Sequence, residues 1–64
     1  MNAVVEIRPA ENVPGFMLNF GCVTLWFSSE VHAINHSQDF FPECDVVLFD
    51  KTGEVTHRYL GRQT

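Results

Sequence analysis

Residues 45–60 read DVVLFDKTGEVTHRYL and carry the clearest structural signal in the chain. Their two halves, 45–50 and 54–60, are rich in Val, Leu, Phe and Tyr, which favour strands. Asp50 at the first turn position and Gly53 at the last are typical of a type I turn closed by a glycine bulge. The stretch therefore predicts an antiparallel β-hairpin.

The predicted turn also fixes which residues oppose each other across the hairpin. The expected pairs are Phe49 with Val55, Leu48 with Thr56, and Val47 with His57. One face would then carry Val47, Phe49, Val55 and Tyr59, and the other would carry Val46, Leu48 and Leu60. Because both faces hold apolar side chains, we expect the hairpin to be covered, at least in part, on both sides.

The residues before this hairpin predict three more strands, at 3–8, 16–20 and 22–28. Pro9 ends the hydrogen bonding of the first strand, since proline lacks a backbone N–H. Gly21 interrupts the other β-prone region and favours a tight turn between two strands. The alternative is a bulge within one long, bent strand.

Two serines followed by Glu30 are typical of a helix start and predict a short helix over residues 29–39. Pro42 ends it, because the residue before a proline avoids helical geometry. The alternative is a strand at 31–34 followed by a loop. The fold class is therefore α+β, with a small antiparallel sheet of four to five strands and one short helix in a single domain, residues 1–64; an all-β fold is the alternative.

The chain is small and rich in aromatic side chains. It has 64 residues, including six Phe, one Trp and one Tyr. A chain of this length buries only about 60% of the surface that its unfolded form exposes. We therefore expect some rings to lie at a self-interface or a partner interface, where aromatic residues are enriched. The alternative is that each ring packs in the protein's own core.

Composition bears on location and on the state of the cysteines. The first residues lack the basic and apolar pattern of a secretory signal. No apolar stretch approaches the roughly 20 residues that span a bilayer. We therefore expect a cytoplasmic protein, in which Cys22 and Cys44 are free thiols.

A metal site and an enzyme site are both disfavoured. His32 and His36 are four residues apart and could share a metal with Cys44 or Asp39. A structural zinc site needs four ligands, commonly in close pairs, and the two cysteines are far apart. Cys44 also lies between two acids, which disfavour the reactive thiolate of a catalytic cysteine. With neither G-x-S-x-G nor a glycine-rich phosphate loop, we expect no enzyme and no cofactor.

The distribution of charge points to a partner. The chain has a net charge of -4, and no lysine or arginine lies between Arg8 and Lys51. A surface formed by this acidic part of the chain would repel nucleic acid and anionic membrane and attract basic proteins. The predicted contact residues are Glu30, Asp39, Phe40, Phe41, Glu43, Asp45 and Asp50. In this interpretation the acids steer the encounter and the two phenylalanines anchor it. The alternative is a solubilising acidic face with both rings turned into the core.

The segment from Gly21 to Ser28, GCVTLWFS, resembles a segment of small uncharacterised phage and prophage proteins. In that group a glycine turn leads into Thr-Leu-aromatic-Phe-Ser-Tyr and then a threonine. Here Ser29 stands in place of the tyrosine and Val31 in place of the threonine. The resemblance implies a phage or mobile-element origin and transfers no catalytic residue. Small acidic phage proteins are often inhibitors that block host machinery, including the nucleic-acid-binding surfaces of defence complexes.

Together these observations predict a non-enzymatic, acidic protein-binding module. Its partner would be a basic host protein or complex, with no direct contact to nucleic acid or membrane. The resemblance implies a phage-type inhibitor that occludes a nucleic-acid-binding surface of a host protein. The alternative is a homo-oligomer, such as a homodimer, that buries its aromatic residues in a self-interface.

Overall fold

The computed structural model describes residues 3–62 and shows a sheet of five strands with one helix packed on it. The elements are β1 Val4–Pro9, β2 Phe16–Phe20, β3 Val23–Phe27, α1 Glu30–Phe40, β4 Asp45–Phe49 and β5 Val55–Tyr59. The strand order across the sheet is β3-β2-β1-β4-β5. The predicted α+β class is confirmed, and each predicted element is present with its ends within one residue of those expected.

One strand pairing differs from the expected antiparallel sheet. β1 pairs with β4 in parallel, whereas β1–β2, β2–β3 and β4–β5 are antiparallel, so the sheet is mixed. The reason is the connection through α1. A helix can return the chain to the end of the sheet from which β3 started, so β4 runs in the same direction as β3 and β1.

Local sequence accounts for both ends of α1. The Ser29 hydroxyl oxygen accepts a hydrogen bond from the His32 backbone N–H at 3.2 Å, so the helix has a serine N-cap as predicted, and Ser29 is the serine that forms it. At the other end the Phe41 N–H donates to the Ser37 carbonyl at 2.8 Å. Pro42 follows directly and prevents a further helical turn. The competing prediction of a strand at 31–34 is therefore wrong.

The turn at Gly21 joins two strands, so the hairpin is confirmed and the bulged single strand is not formed. Gly21 has φ +59°, and Cys22 completes a two-residue loop. Positive φ at the first loop position alone is typical of a type II′ turn. The strands pair from Phe20 opposite Val23 to Phe16 opposite Phe27.

The second hairpin has the predicted turn but a shifted register. The Gly53 N–H donates to the Asp50 carbonyl at 3.1 Å, and Gly53 has φ +89°. Phe49 lies opposite Val55 as expected, but the pairing is irregular between Leu48 and Phe49. The observed partners beyond this point are Leu48 with His57, Val47 with Arg58, and Val46 with Tyr59. The predicted pairs Leu48–Thr56 and Val47–His57 are wrong by one residue, because β5 has an extra residue at the irregularity.

The register shift changes which side chains share a face. Tyr59 lies on the same side as Val46, on the helix-covered face, and not with Val47 as predicted. Solvent exposure also differs between the two strands. Residues 45–48 of β4 are buried, whereas β5 is exposed over most of its length. The expectation of partial cover on both faces therefore applies to β4 alone.

The main core lies between the sheet and α1. Its buried members are Val5, Ile7, Leu18, Ala33, Val46 and Leu48. In the strands these residues alternate along the chain, as expected when one sheet face is covered by a helix. Several aromatic rings pack around them: Phe16, Phe20, Phe27, Phe41 and Tyr59. Most of the aromatic rings therefore pack against the protein's own core, whereas Phe40 and Trp26 are exposed.

The loop before β2 is held against the indole of Trp26. Its Nε1–H donates to the Pro14 carbonyl at 2.9 Å. Gly15, the next residue, has φ +105°, and a Cβ there would lie 2.5 Å from the indole nitrogen. Both the backbone angle and the close contact exclude a side chain at this position.

We expect Gly15→Ala to lower the free energy of unfolding by about 3 kcal/mol, from left-handed strain together with overpacking. The control is Gly53→Ala, where φ is also positive but no atom lies within 4 Å of the added Cβ. That variant should lose only about 1 kcal/mol. Urea unfolding followed by Trp fluorescence measures both. Equal losses would show that the Trp26 contact contributes nothing.

Candidate protein-binding surface

The seven predicted contact residues do not share one surface, because the fold separates them into two groups. Glu30 begins α1 and Asp50 follows β4, and both line one groove that also contains Lys51. The other five lie where α1 ends and β4 begins: Asp39, Phe40, Phe41, Glu43 and Asp45. The helix has 11 residues and separates the groups by about 15 Å. A docking face made of all seven is therefore not formed.

Asp45 has a structural role and is only 6% exposed. Its Oδ2 accepts from Arg58 Nη2 at 2.8 Å, and its Oδ1 accepts from the Gly61 backbone N–H at 2.7 Å. These bonds connect the start of β4 to the chain that leaves β5. The charge of this buried carboxylate is therefore compensated inside the protein by the Arg58 guanidinium and the Gly61 N–H. It offers little to a partner.

Asp50 also acts within the fold, as the acceptor that closes the β4–β5 turn. Its Oδ1 accepts from the Thr52 hydroxyl at 2.5 Å, from the Thr52 N–H at 2.8 Å and from the Glu54 N–H at 3.1 Å. The Thr52 hydroxyl bond, followed by the backbone bonds, lowers the pKa of Asp50 below its ordinary value of 3.8. The sequence predicted this aspartate both in the turn and in the contact set.

Phe41 does not stand beside Phe40 as a second exposed ring. Its ring packs on Phe20 with centroids 4.6 Å apart, and it is half-buried against the main core. The helix ends between the two phenylalanines, so they point in different directions. For Phe41, the alternative that the ring turns into the core is the one observed.

Arginines from the C-terminal segment reach the acidic end of the molecule. Arg58 binds Asp45, and the Arg62 N–H donates to the Pro42 carbonyl at 2.7 Å. These residues are far from the acids in sequence, and β5 returns them to the same end. The charge segregation is therefore weaker in space than along the chain.

Three predicted residues remain available at the end of α1, and we call Asp39, Phe40 and Glu43 the helix-end patch. Glu30 is half-buried in the first turn at the other end of the helix and lies apart from them. Phe40 is 68% exposed, and its ring stacks on His36 with centroids 4.4 Å apart. Asp39 and Glu43 are exposed, and no described residue in 3–62 forms a hydrogen bond or ion pair with either carboxylate. The patch therefore combines an ordered aromatic ring with two unneutralised charges.

Helix electrostatics do not explain Asp39 as a stabilising residue. It lies in the last turn of α1, which contains no basic residue. The C-terminal end of a helix carries partial negative charge, so an acid there is unfavourable by a few tenths of a kcal/mol or more. Asp39 is therefore exposed at the helix end without a stabilising role there.

The described residues do not assemble a metal centre. No group of three or more His, Cys, Asp and Glu side chains within 3–62 is close enough to hold an ion. His32 is exposed, and His36 lies between Phe40 and Phe27, 5.1 Å from the latter's ring centroid. Both cysteines are free thiols; Cys22 is exposed in the turn and Cys44 is half-buried.

The sequence reasoning missed one feature, the sheet edge formed by β3. Val23 and Trp26 on this strand are large, apolar and exposed. The signal was present in the sequence, because residues 12–29 contain no Asp, Glu, Lys or Arg. These residues were predicted to form two strands and a turn, and no binding role was predicted for them.

No protein-family model, curated protein or solved structure matches this chain. Within residues 3–62, no helix has the length and apolar character needed to cross a membrane. The phage resemblance of residues 21–28 stays a prediction.

We expect Asp45→Ala to lower the free energy of unfolding by about 2 kcal/mol, because it leaves the Gly61 N–H and Arg58 without their acceptor. The matched control is Glu43→Ala, which removes an exposed carboxylate two residues earlier. It should change stability by less than about 0.5 kcal/mol. Urea unfolding of both variants is the measurement, and similar values would contradict a structural role for Asp45.

The turn carboxylate should make stability depend on pH. Since folding lowers the pKa of Asp50, its contribution is complete above the unfolded pKa and is lost as pH falls through the folded pKa. Wild type should therefore be more stable than Asp50→Ala at neutral pH, and the difference should shrink in acid, below about pH 4. Thermal unfolding of both proteins at a series of pH values tests this. A constant difference across that range would contradict it.

Proposed function

We propose that this protein is a non-enzymatic binding module that docks on a basic surface of another protein through the helix-end patch. One observation carries the proposal: Phe40 is 68% exposed beside two carboxylates that nothing described in the chain neutralises. At this end of the molecule, these are the predicted contact residues that have no role inside the fold. The partner it fits is a protein whose surface presents Lys and Arg around an apolar pocket.

Phe40 supplies the anchor of the proposed contact. A large exposed ring gains most when it enters a desolvated pocket, and the gain is greatest when little side-chain freedom is lost. Stacking on His36 restricts the Phe40 ring before any partner arrives. A basic partner also suits the ring, since guanidinium and ammonium groups bind aromatic faces.

Asp39 and Glu43 supply electrostatic steering. The whole chain carries a net charge of -4, so a cationic surface is attracted over about one Debye length. Exposed charges of this kind change the association rate and its salt dependence more than the final affinity. Binding should therefore weaken as ionic strength rises.

Basic protein surfaces commonly bind nucleic acid, so a protein docked on such a surface can block nucleic-acid binding. The described chain extends 39 × 21 × 21 Å, so it would cover much of a nucleic-acid groove on which it docked. We therefore propose that binding competes with nucleic acid, as in a phage-type inhibitor of a host protein such as a defence complex. The competing idea of a self-interface on Phe40 and Phe41 is less well supported, because Phe41 packs on Phe20.

The test first captures the partner and then measures affinity. A photo-crosslinking phenylalanine analogue at position 40 should capture a protein from a lysate of the cells that make this chain. The same analogue at position 31, where Val31 is also exposed, should not. Asp39→Lys with Glu43→Lys should then weaken binding to the purified partner by about tenfold or more and reduce its salt dependence.

The control reverses the same amount of charge elsewhere. Glu11→Lys with Glu54→Lys alters two exposed acids in the loops at the opposite end and should retain most of the affinity. Neither double variant should unfold at a lower urea concentration than wild type, and Asp39→Lys should raise that concentration slightly because a cation suits the C-terminal end of α1. The proposal fails if the two double variants bind equally well, or if the captured protein binds nucleic acid and this chain at once.

A further inference from the structure

The two edges of the sheet are built differently. β5 forms one edge and carries Arg58, polar side chains and an irregular start, all of which oppose pairing with another strand. β3 forms the other edge, and its sequence VTLWF has no charge and no proline. Its pairing with β2 is regular throughout. β3 therefore lacks the usual protection of an edge strand.

The exposed side chains of β3 lie on both faces of the sheet. Val23 is opposite Phe20, on the helix-covered face, and is 40% exposed. Trp26 is opposite Met17, on the other face, and is 52% exposed. A strand added at this edge would cover apolar surface on both sides as well as pair with the backbone.

The turn at Gly21 determines which backbone groups of β3 are free to pair. In a two-residue hairpin the residues flanking the loop direct their backbone groups towards each other. Val23 therefore faces β2, and by alternation so do Leu25 and Phe27. The N–H and C=O groups of Thr24 and Trp26 point away from the sheet.

We propose that β3 pairs with β3 of a second copy of this chain to form a two-fold symmetric dimer. The antiparallel register centres on Leu25, so Thr24 lies opposite the partner copy's Trp26 and Val23 opposite its Phe27. This register lets each outward-pointing Thr24 and Trp26 exchange hydrogen bonds with the other copy. It also brings the two Leu25 side chains together on the helix-covered face.

The absence of charged side chains on β3 favours a second copy of this chain as the pairing partner. Residues 12–29, which include β2, β3 and both adjoining turns, contain no Asp, Glu, Lys or Arg. Two identical chains with a net charge of -4 repel each other least where this uncharged edge meets itself. A partner chosen by charge would find no charged side chain on β3. Each copy has one such edge, so pairing closes at two copies and does not continue into a fibre.

This dimer is independent of the proposed docking function, because the helix-end patch shares no residue with β3. The test is Thr24→Lys, since a lysine on an edge strand opposes strand pairing. Sedimentation equilibrium from micromolar to millimolar protein should show a wild-type dimer whose dissociation constant rises by at least about tenfold in the variant. The matched control is Thr56→Lys on β5, which should leave the dimer unchanged.

Amide hydrogen exchange of the wild-type protein provides a second readout that needs no variant. The Thr24 and Trp26 amides should exchange more slowly as the protein concentration rises, whereas the exchange rate of the exposed β5 amides should not change. A wild-type monomer at every concentration overturns the proposal. So does a dimer that Thr24→Lys does not weaken, or growth beyond two copies.

Discussion

The parallel pairing of β1 with β4 is the constraint on which the rest of the structure depends. It places Val5 beside Val46 and Ile7 beside Leu48, which are four of the most buried side chains. Helix α1 must cross the sheet to make this pairing possible, and in crossing it covers the face where these residues lie. The pairing also makes β3 and β5 the two edges. Core, helix position and free edges thus follow from one contact between distant segments.

The same constraint decides which acids remain for a partner. Asp45 begins β4, an interior strand that is buried over residues 45–48, so this carboxylate must be neutralised inside the protein, and Arg58 from β5 does so. Asp39 lies in the last turn of α1 and Glu43 in the loop before that strand, and both side chains are exposed. Their availability is a consequence of where the sheet ends, and it would not follow from the number of acids in the chain.

Local features of the fold could be predicted from sequence, whereas contacts between distant segments could not. The serine cap of α1 and the turns at Gly21 and Gly53 depend on a few adjacent residues, and all three features were predicted correctly. The parallel pairing and the Asp45–Arg58 ion pair join segments whose meeting no spacing specifies. The register of β5 failed for a related reason, since one extra residue at an irregularity moves every later side chain to the opposite face.

The two proposed surfaces separate recognition of a different protein from recognition of the same one. In the proposed docking, charge would do the first, since Asp39 and Glu43 would attract a cationic surface and repel the same patch on another copy. In the proposed dimer, the uncharged β3 would do the second, because backbone pairing needs no complementary charge and gives a charged partner nothing to select. Placing all the charged residues outside 12–29 keeps the two kinds of contact apart within 64 residues. A dimer formed through β3 would then present two helix-end patches, so a partner with repeated basic sites would be bound more tightly than either patch alone could achieve.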